Sequence, residues 1–229
     1  MDFKKFSELV MIEQTLFALP FAWIGLLFAG GGSLAQWLWV TVALVAARTA
    51  GMSFNRVIDA DIDARNPRTS ARHVPSGALP RSAVWALAAG SSVLLVAASY
   101  MLNALCFSLS FAAVVLLFSY SYFKRFTASS HFYLGFVEAA APIGGYVAVT
   151  GRFDTVSFLL GGAIMMWIAG LDMVYALQDR GFDRREGLHS IPARFGARTA
   201  LALSALSYCG AFACLFAAGL LTGRDAPYW

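Results

Sequence analysis

Apolar residues run along this chain in stretches of about 20 residues, broken by short polar or charged segments. That length crosses a bilayer core as a helix. The pattern predicts seven spans, near 13–30, 34–57, 82–102, 105–122, 132–149, 156–177 and 197–221. Three connections are tight turns: Gly30, Gly31, Gly32 and Ser33 form one, Asn103 marks another, and Thr150 to Asp154 form the third. Three are longer and basic, at 59–81, 123–130 and 179–196. A transmembrane barrel would instead show alternating segments of roughly 10 residues. The fold class expected is all-α, a polytopic transmembrane helical bundle built as a single domain over 1–229.

Composition sharpens this picture. Hydrophobic residues make up 59% of the chain and charged residues 13%, against about 25% charged in a soluble domain. The start carries Lys4 and Lys5, but the apolar run after them is too long for a cleaved signal and lacks a small-residue cleavage site, so it reads as the first span. With a cytoplasmic N-terminus, alternating spans put all three basic connections on the cytoplasmic side and leave Arg152 and Arg224 opposite. That follows the positive-inside rule. The net charge of +4 therefore belongs to topology and to anionic ligands, not to nucleic acid. Cys106, Cys209 and Cys214 lie in apolar stretches with no matching Cys/His set and read as small buried residues.

Candidate chemistry comes from polar residues inside the spans. Stepping by three or four from Arg48 passes Met52, Asn55, Asp59 and Asp63, which share one helical face, while Asp61 points elsewhere. A second face carries Asp172, Tyr175 and Asp179, with Asp183 one turn on if the helix persists. Charges in a span are expensive and normally face the bundle interior. Five carboxylates gathered at one membrane edge would repel each other without cations. Oxygen donors of this kind suit Mg²⁺, which bridges carboxylates to phosphate oxygens, and arginines in the adjoining loops can fork onto the same phosphates. With 19 Phe, 8 Tyr and 6 Trp, such a site at the mouth of an aromatic-rich bundle suits an isoprenoid diphosphate, whose tail would lie between helices. Each acidic face is followed by an arginine-rich loop, which suggests a weak internal repeat.

NRVIDADID at 55–63 and DMVYALQDRGFD at 172–183 resemble the two aspartate-rich motifs of the UbiA superfamily of intramembrane aromatic prenyltransferases. ARNPRTSARHVPSG and HSIPARFG look like the loops that follow them, and FALPFAWIG and APIGGYVAVTG extend the resemblance over essentially the whole chain. The form of the first motif looks closest to bacterial 4-hydroxybenzoate polyprenyltransferases and the futalosine-route menaquinone enzymes. The resemblance implies a helical bundle around a cavity open to lipid, in the bacterial inner (plasma) membrane with its active-site loops cytoplasmic. It implies Mg²⁺-dependent transfer of a polyprenyl group from its diphosphate to an aromatic hydroxy acid in ubiquinone or menaquinone biosynthesis.

By position, Asp59, Asp63, Asp172, Asp179 and Asp183 are the implied metal ligands. Asn55, Arg56, Arg72, Lys124, Arg125 and Tyr175 are the implied diphosphate contacts. Asp59, Asp63, Asp172, Asp179, Arg72 and Lys124 carry the catalysis. Glu138, an acid inside the fifth span, and Tyr120 are candidates for the acceptor side. The family has nine spans, so the seven seen here imply a member shortened at its C-terminus or a chain that continues. Two other readings compete: an ion- or proton-coupled transporter, which would place charges at the midplane on broken spans, and a noncatalytic truncated member.

Overall fold

In the computed structural model, which describes residues 3–223, the chain forms eleven α-helices. They are α1 (Phe3–Val10), α2 (Ile12–Phe28), α3 (Leu34–Ile58), α4 (Ala60–Arg65), α5 (Arg81–Tyr100) and α6 (Ala104–Phe123). Then come α7 (Ser130–Thr150), α8 (Thr155–Tyr175), a 3₁₀ turn (Ala176–Asp179), α9 (Arg180–Arg185), α10 (Ile191–Phe195) and α11 (Ala197–Leu221). Six helices are long and apolar enough to cross a membrane on their own. The seventh predicted span is α2, bent by 55° from α1 at Met11, a non-glycine residue in the left-handed region (φ 51).

Local chemistry sets the helix ends. Ser33 and Gln36 form a reciprocal capping box at the start of α3, and Asp154 and Ser157 form one at α8. Each satisfies two backbone or side-chain donors that a helix end leaves open. Asn103 caps α6 through the amide of Cys106, and Gly151 closes α7 with a positive φ of 67°.

The packing is inverted relative to a soluble bundle. Among fully or nearly fully buried positions are Ala22, Ala50, Ala88, Ala169, Ala200 and Ala218, whereas Phe111, Phe136, Phe158, Leu206 and Phe212 are exposed. In lipid there is no hydrophobic gain from burying Leu or Phe against a neighbour, so small residues take the interfaces and let backbones approach. Helix α7 is central, packing on α2, α3, α6 and α8. A Cβ on Gly25 would sit 2.1 Å from the Pro142 carbonyl oxygen, and one on Gly145 would sit 2.1 Å from that of Ala22. Glycine is required at this α2–α7 crossing.

All three basic connections gather at one end. Arg65 pairs with Glu186 (2.8 Å), Arg125 donates to the Ile58 carbonyl (2.8 Å), and the His189 amide donates to the Lys124 carbonyl (2.8 Å). At the other end, Gln36 and Asn103 tie the short turns to the carbonyls of Ala148 and Val147.

Both expected acidic faces are broken rather than continuous. Helix α3 stops at Ile58 and Asp59 leaves helical geometry (φ −93, ψ 3), yet the Asp63 amide still donates to the Asp59 carbonyl (2.8 Å). Helix α8 stops at Tyr175, and the tighter 3₁₀ turn carries the chain through Asp179 into α9. The breaks turn the carboxylates inward across the end of the bundle.

Candidate active site

A cavity of about 170 Å³ opens at the end where the basic connections meet. Helices α3 and α4 contribute Asn55, Asp59 and Asp63, and the loop after them contributes Asn66, Arg68 and Arg72. The end of α6 and the following loop supply Tyr120, Ser121, Lys124 and Arg125. Ser130 and His131 from α7 face Asp172 and Tyr175 of α8, Asp179 of the 3₁₀ turn and Asp183 of α9.

Each of the five carboxylates has its own partner. Asp59 accepts from Asn55 Nδ2 (2.8 Å) and pairs with Arg125 (3.0 Å), whose guanidinium also stacks over Tyr122. Asp63 pairs with Arg72 (2.7 Å). Asp179 is held by a two-pronged contact from Arg68 and by Asn66 Nδ2 (3.0 Å). Arg68 also donates to the Tyr175 hydroxyl (2.9 Å) and lies over its ring. Asp183 is fully buried, pairing with Lys124 (2.8 Å) and accepting from Ser190 Oγ (2.7 Å). Asp172 meets Nδ1 of His131 (2.6 Å). Asp61 is exposed and pairs with Arg81, outside the cavity.

Burial pushes the Asp59 carboxyl up to about 6, against the opposing pull of Arg125. Taking a carboxylate out of water penalises its charged form more than one arginine at 3 Å restores it.

Two residues expected at the site lie elsewhere. Arg56 is turned by one helical step from Asn55, away from the cavity; it is 6% exposed and donates to the Leu9 carbonyl of α1 (3.3 Å). Glu138 lies deeper in α7 and pairs with Arg48, which also donates to Gln14 (3.3 Å). Tyr120 lies at the cavity wall within electrostatic reach of Asp59, Asp172, Arg48 and Glu138. Conversely, Asn66, Arg68, His131 and Ser190 were not singled out from the sequence. Arg68 and Ser190 fall in the motif-following loops, so those loops carried the signal. His131 carried none beyond being polar at the start of a span.

The donor chemistry fits Mg²⁺ in a limited way. Hard carboxylate oxygens line both sides of one cavity, as this ion prefers. No three His, Cys, Asp or Glu side chains among the described residues converge into a ready metal cage. That suits an ion held by one or two carboxylates at a time, with phosphate and water completing its shell.

The fold and site define an integral membrane enzyme of the prenyl-transferring class. The model of the UbiA prenyltransferase family matches residues 18–229, and the chain belongs to that family. A 4-hydroxybenzoate octaprenyltransferase of Aromatoleum aromaticum is 34% identical over 223 residues, covering 96% of this chain and 73% of the relative. That of Cupriavidus necator is 30% identical over 229 residues, covering 98% and 80%. Among solved structures, the apo form of a UbiA homolog from Aeropyrum pernix K1 superposes with a TM-score of 0.89 at 35% identity, covering 95% of this chain and 82% of that one. A UbiA homolog from Archaeoglobus fulgidus bound to DMAPP and Mg²⁺ shares the fold (TM-score 0.78, 18% identity, 98% and 80% covered).

Proposed function

We propose that this chain transfers a polyprenyl group from its diphosphate to the ring of an aromatic hydroxy acid, 4-hydroxybenzoate or a dihydroxynaphthoate, in respiratory quinone biosynthesis. One observation carries the reading: carboxylates from two distant motifs and four loop cations line a single cavity. Their charges nearly balance, so an anionic diphosphate and its counter-ions can enter by exchanging partners. The relatives that transfer octaprenyl groups to 4-hydroxybenzoate support the choice of acceptor.

Asp59, Asp63, Asp172 and Asp179 would hold Mg²⁺, while Asp183, buried behind Lys124, orients that lysine. Mg²⁺, when bound, supplies Lewis-acid neutralisation of the leaving diphosphate. Arg68, Arg72, Lys124 and Arg125 take the phosphate oxygens, placing positive charge where the departing group gains negative charge. The allylic C–O bond breaks with its electron pair going to the diphosphate. The ring carbon ortho to the phenolic oxygen attacks the cation, and the ring proton then passes to the freed diphosphate, the anionic base that the first step leaves beside it. Tyr120 offers an aromatic face at the cavity wall, which stabilises a passing cation.

The prenyl tail needs an apolar route. Trp167, Leu171 and Tyr175 repeat every four residues along α8, all exposed, and Tyr175 reaches the cavity. This stripe leads from the diphosphate site into the hydrocarbon layer. The basic loops at the cavity end favour the cytoplasmic side of a bacterial inner membrane.

The test uses membranes holding the full chain, Mg²⁺, labelled prenyl diphosphates and both acceptors, with products identified by mass spectrometry. Prenylated aromatic acid from the native chain, and at least a hundredfold less from Asp59→Ala and Asp179→Ala at equal protein level, is expected. Near-native turnover in both variants overturns the site. Absence of any prenylated acid from the native chain overturns the acceptor class.

A further inference from the structure

Four of the five cavity carboxylates are paired with arginine or lysine. Asp172 is different. Its partner is His131, a side chain 2% exposed on the first turn of α7. The other ring nitrogen of His131, Nε2, accepts a hydrogen bond from the Ile191 amide (3.1 Å). A nitrogen that accepts an N–H carries no proton, so the proton lies on Nδ1, and Nδ1–H donates to Asp172 Oδ2 (2.6 Å). The ring is therefore held in one tautomer and one orientation from both sides.

Among the described residues, no arginine or lysine is paired with Asp172. Asp59, Asp63, Asp179 and Asp183 must each give up a protein cation before taking another. Asp172 has nothing to give up. The Asp172 side chain is 31% exposed and lines the cavity, and with Oδ2 tied to His131, Oδ1 remains for a ligand.

The lock extends into the loop before α10. Ile191 opens α10, and its N-cap Ser190 donates to Asp183 Oδ2. The His189 amide donates to the carbonyl of Lys124. Three consecutive residues thus fix a carboxylate, a lysine and, through His131, Asp172.

We propose that His131 is the positioning residue that holds Asp172 as a pre-aimed carboxylate for the cation that accompanies the diphosphate, with the Ile191 amide setting its tautomer. The inference rests on Asp172 being a ligand of that cation. Outer partners of this kind, an imidazole N–H on a ligating carboxylate, orient the ligand, and their loss costs about 10- to 100-fold in metal affinity.

Two isosteric variants separate the two bonds of the ring. His131→Asn places an amide N–H near the Nδ1 position and keeps the bond to Asp172. His131→Gln reaches the Nε2 position and keeps only the bond to Ile191. The purified full chain is titrated calorimetrically with Mg²⁺ in the presence of inorganic pyrophosphate, beside a thermal melt of each variant. Mg²⁺ affinity within about threefold of native in the Asn variant, and at least tenfold weaker in the Gln variant at a similar melting temperature, is expected. Equal affinity in Asn, Gln and native proteins overturns the proposal, and so does a loss in Asn with retention in Gln. Asp172→Asn serves as the control. If it leaves Mg²⁺ affinity unchanged, the ligand reading itself fails; if it weakens binding while the His131 variants do not, only the role of His131 fails.

A measurement on the native chain needs no variant to fold. The chain has three histidines, and ¹⁵N-histidine spectra at neutral pH report each tautomer. One buried histidine in the Nδ1–H form is expected. Finding none in that form overturns the proposal.

Discussion

Removing Arg68 tests whether the cavity is held by its internal ion pairs. The Asp179 side chain is 10% exposed and that of Arg68 is 31% exposed. Exposed pairs contribute about 0–1 kcal/mol, whereas breaking a buried pair costs about 3–5 kcal/mol because a charge is left uncompensated. This pair lies between those regimes. Arg68→Ala leaves Asp179 with Asn66 as its hydrogen-bond donor and removes the prong on Tyr175. We expect a loss of about 2–3 kcal/mol. Arg68→Lys keeps the charge but not the fork and should lose roughly half of that.

The decisive comparison is the double variant. Adding Asp179→Asn to Arg68→Ala removes the orphaned charge and should restore at least about 1 kcal/mol, a coupling of the size found between contacting charges. The assay is reversible unfolding in detergent, with each variant compared at one pH and one protein concentration. Arg68→Ala within about 0.5 kcal/mol of native, or strict additivity of the two substitutions, would refute the reasoning.

Two further outcomes are expected. The Asp59 carboxyl sits at about 6, above the unfolded value of about 3.9, so the folded state binds the extra proton. Its contribution is most favourable below pH 4 and is lost as pH rises through 6. Asp59→Asn should therefore melt higher than native at pH 7.5 and lose that advantage at pH 4, which thermal denaturation at the two values will check. Second, Gly145→Ala forces a Cβ against the Ala22 carbonyl, while its neighbour Gly144 has nothing within 4 Å. Gly145→Ala should lower the melting temperature and impair folding, whereas Gly144→Ala should be neutral or stabilising by up to about 1 kcal/mol through helix propensity. Equal effects would contradict the close α2–α7 crossing.

Much of the fold was legible because a bilayer imposes one length and one polarity on every span. The seven apolar runs, the glycine and asparagine turns and the basic loops became α2, α3, α5 to α8 and α11, with breaks at the expected turns. The two acidic motifs were legible for a related reason. Carboxylates at the ends of apolar helices are too costly to occur there without a partner, so Asp59, Asp63, Asp172 and Asp179 stood out before their surroundings were known.

What pairs with those carboxylates was not legible, because pairing is decided between segments far apart in the chain. Arg68 reaches Asp179 across 111 positions and Arg125 reaches Asp59 across 66. Helical periodicity sets Arg56 about 100° round the axis from Asn55, and packing against α1 then gives Arg56 the Leu9 carbonyl while Asn55 enters the cavity. Glu138 was visible as a charge in a span, but its engagement with Arg48 depends on how α3 and α7 cross. His131 had no sequence signal at all, since its meaning lies in Asp172 and Ile191, two residues on other elements. The sequence by itself determined where the membrane-spanning helices run and which end holds the acidic groups, because those follow from local polarity and length. The tertiary structure decided which cation answers which carboxylate, because Coulomb and hydrogen-bond energies depend on distances that only the folded bundle sets.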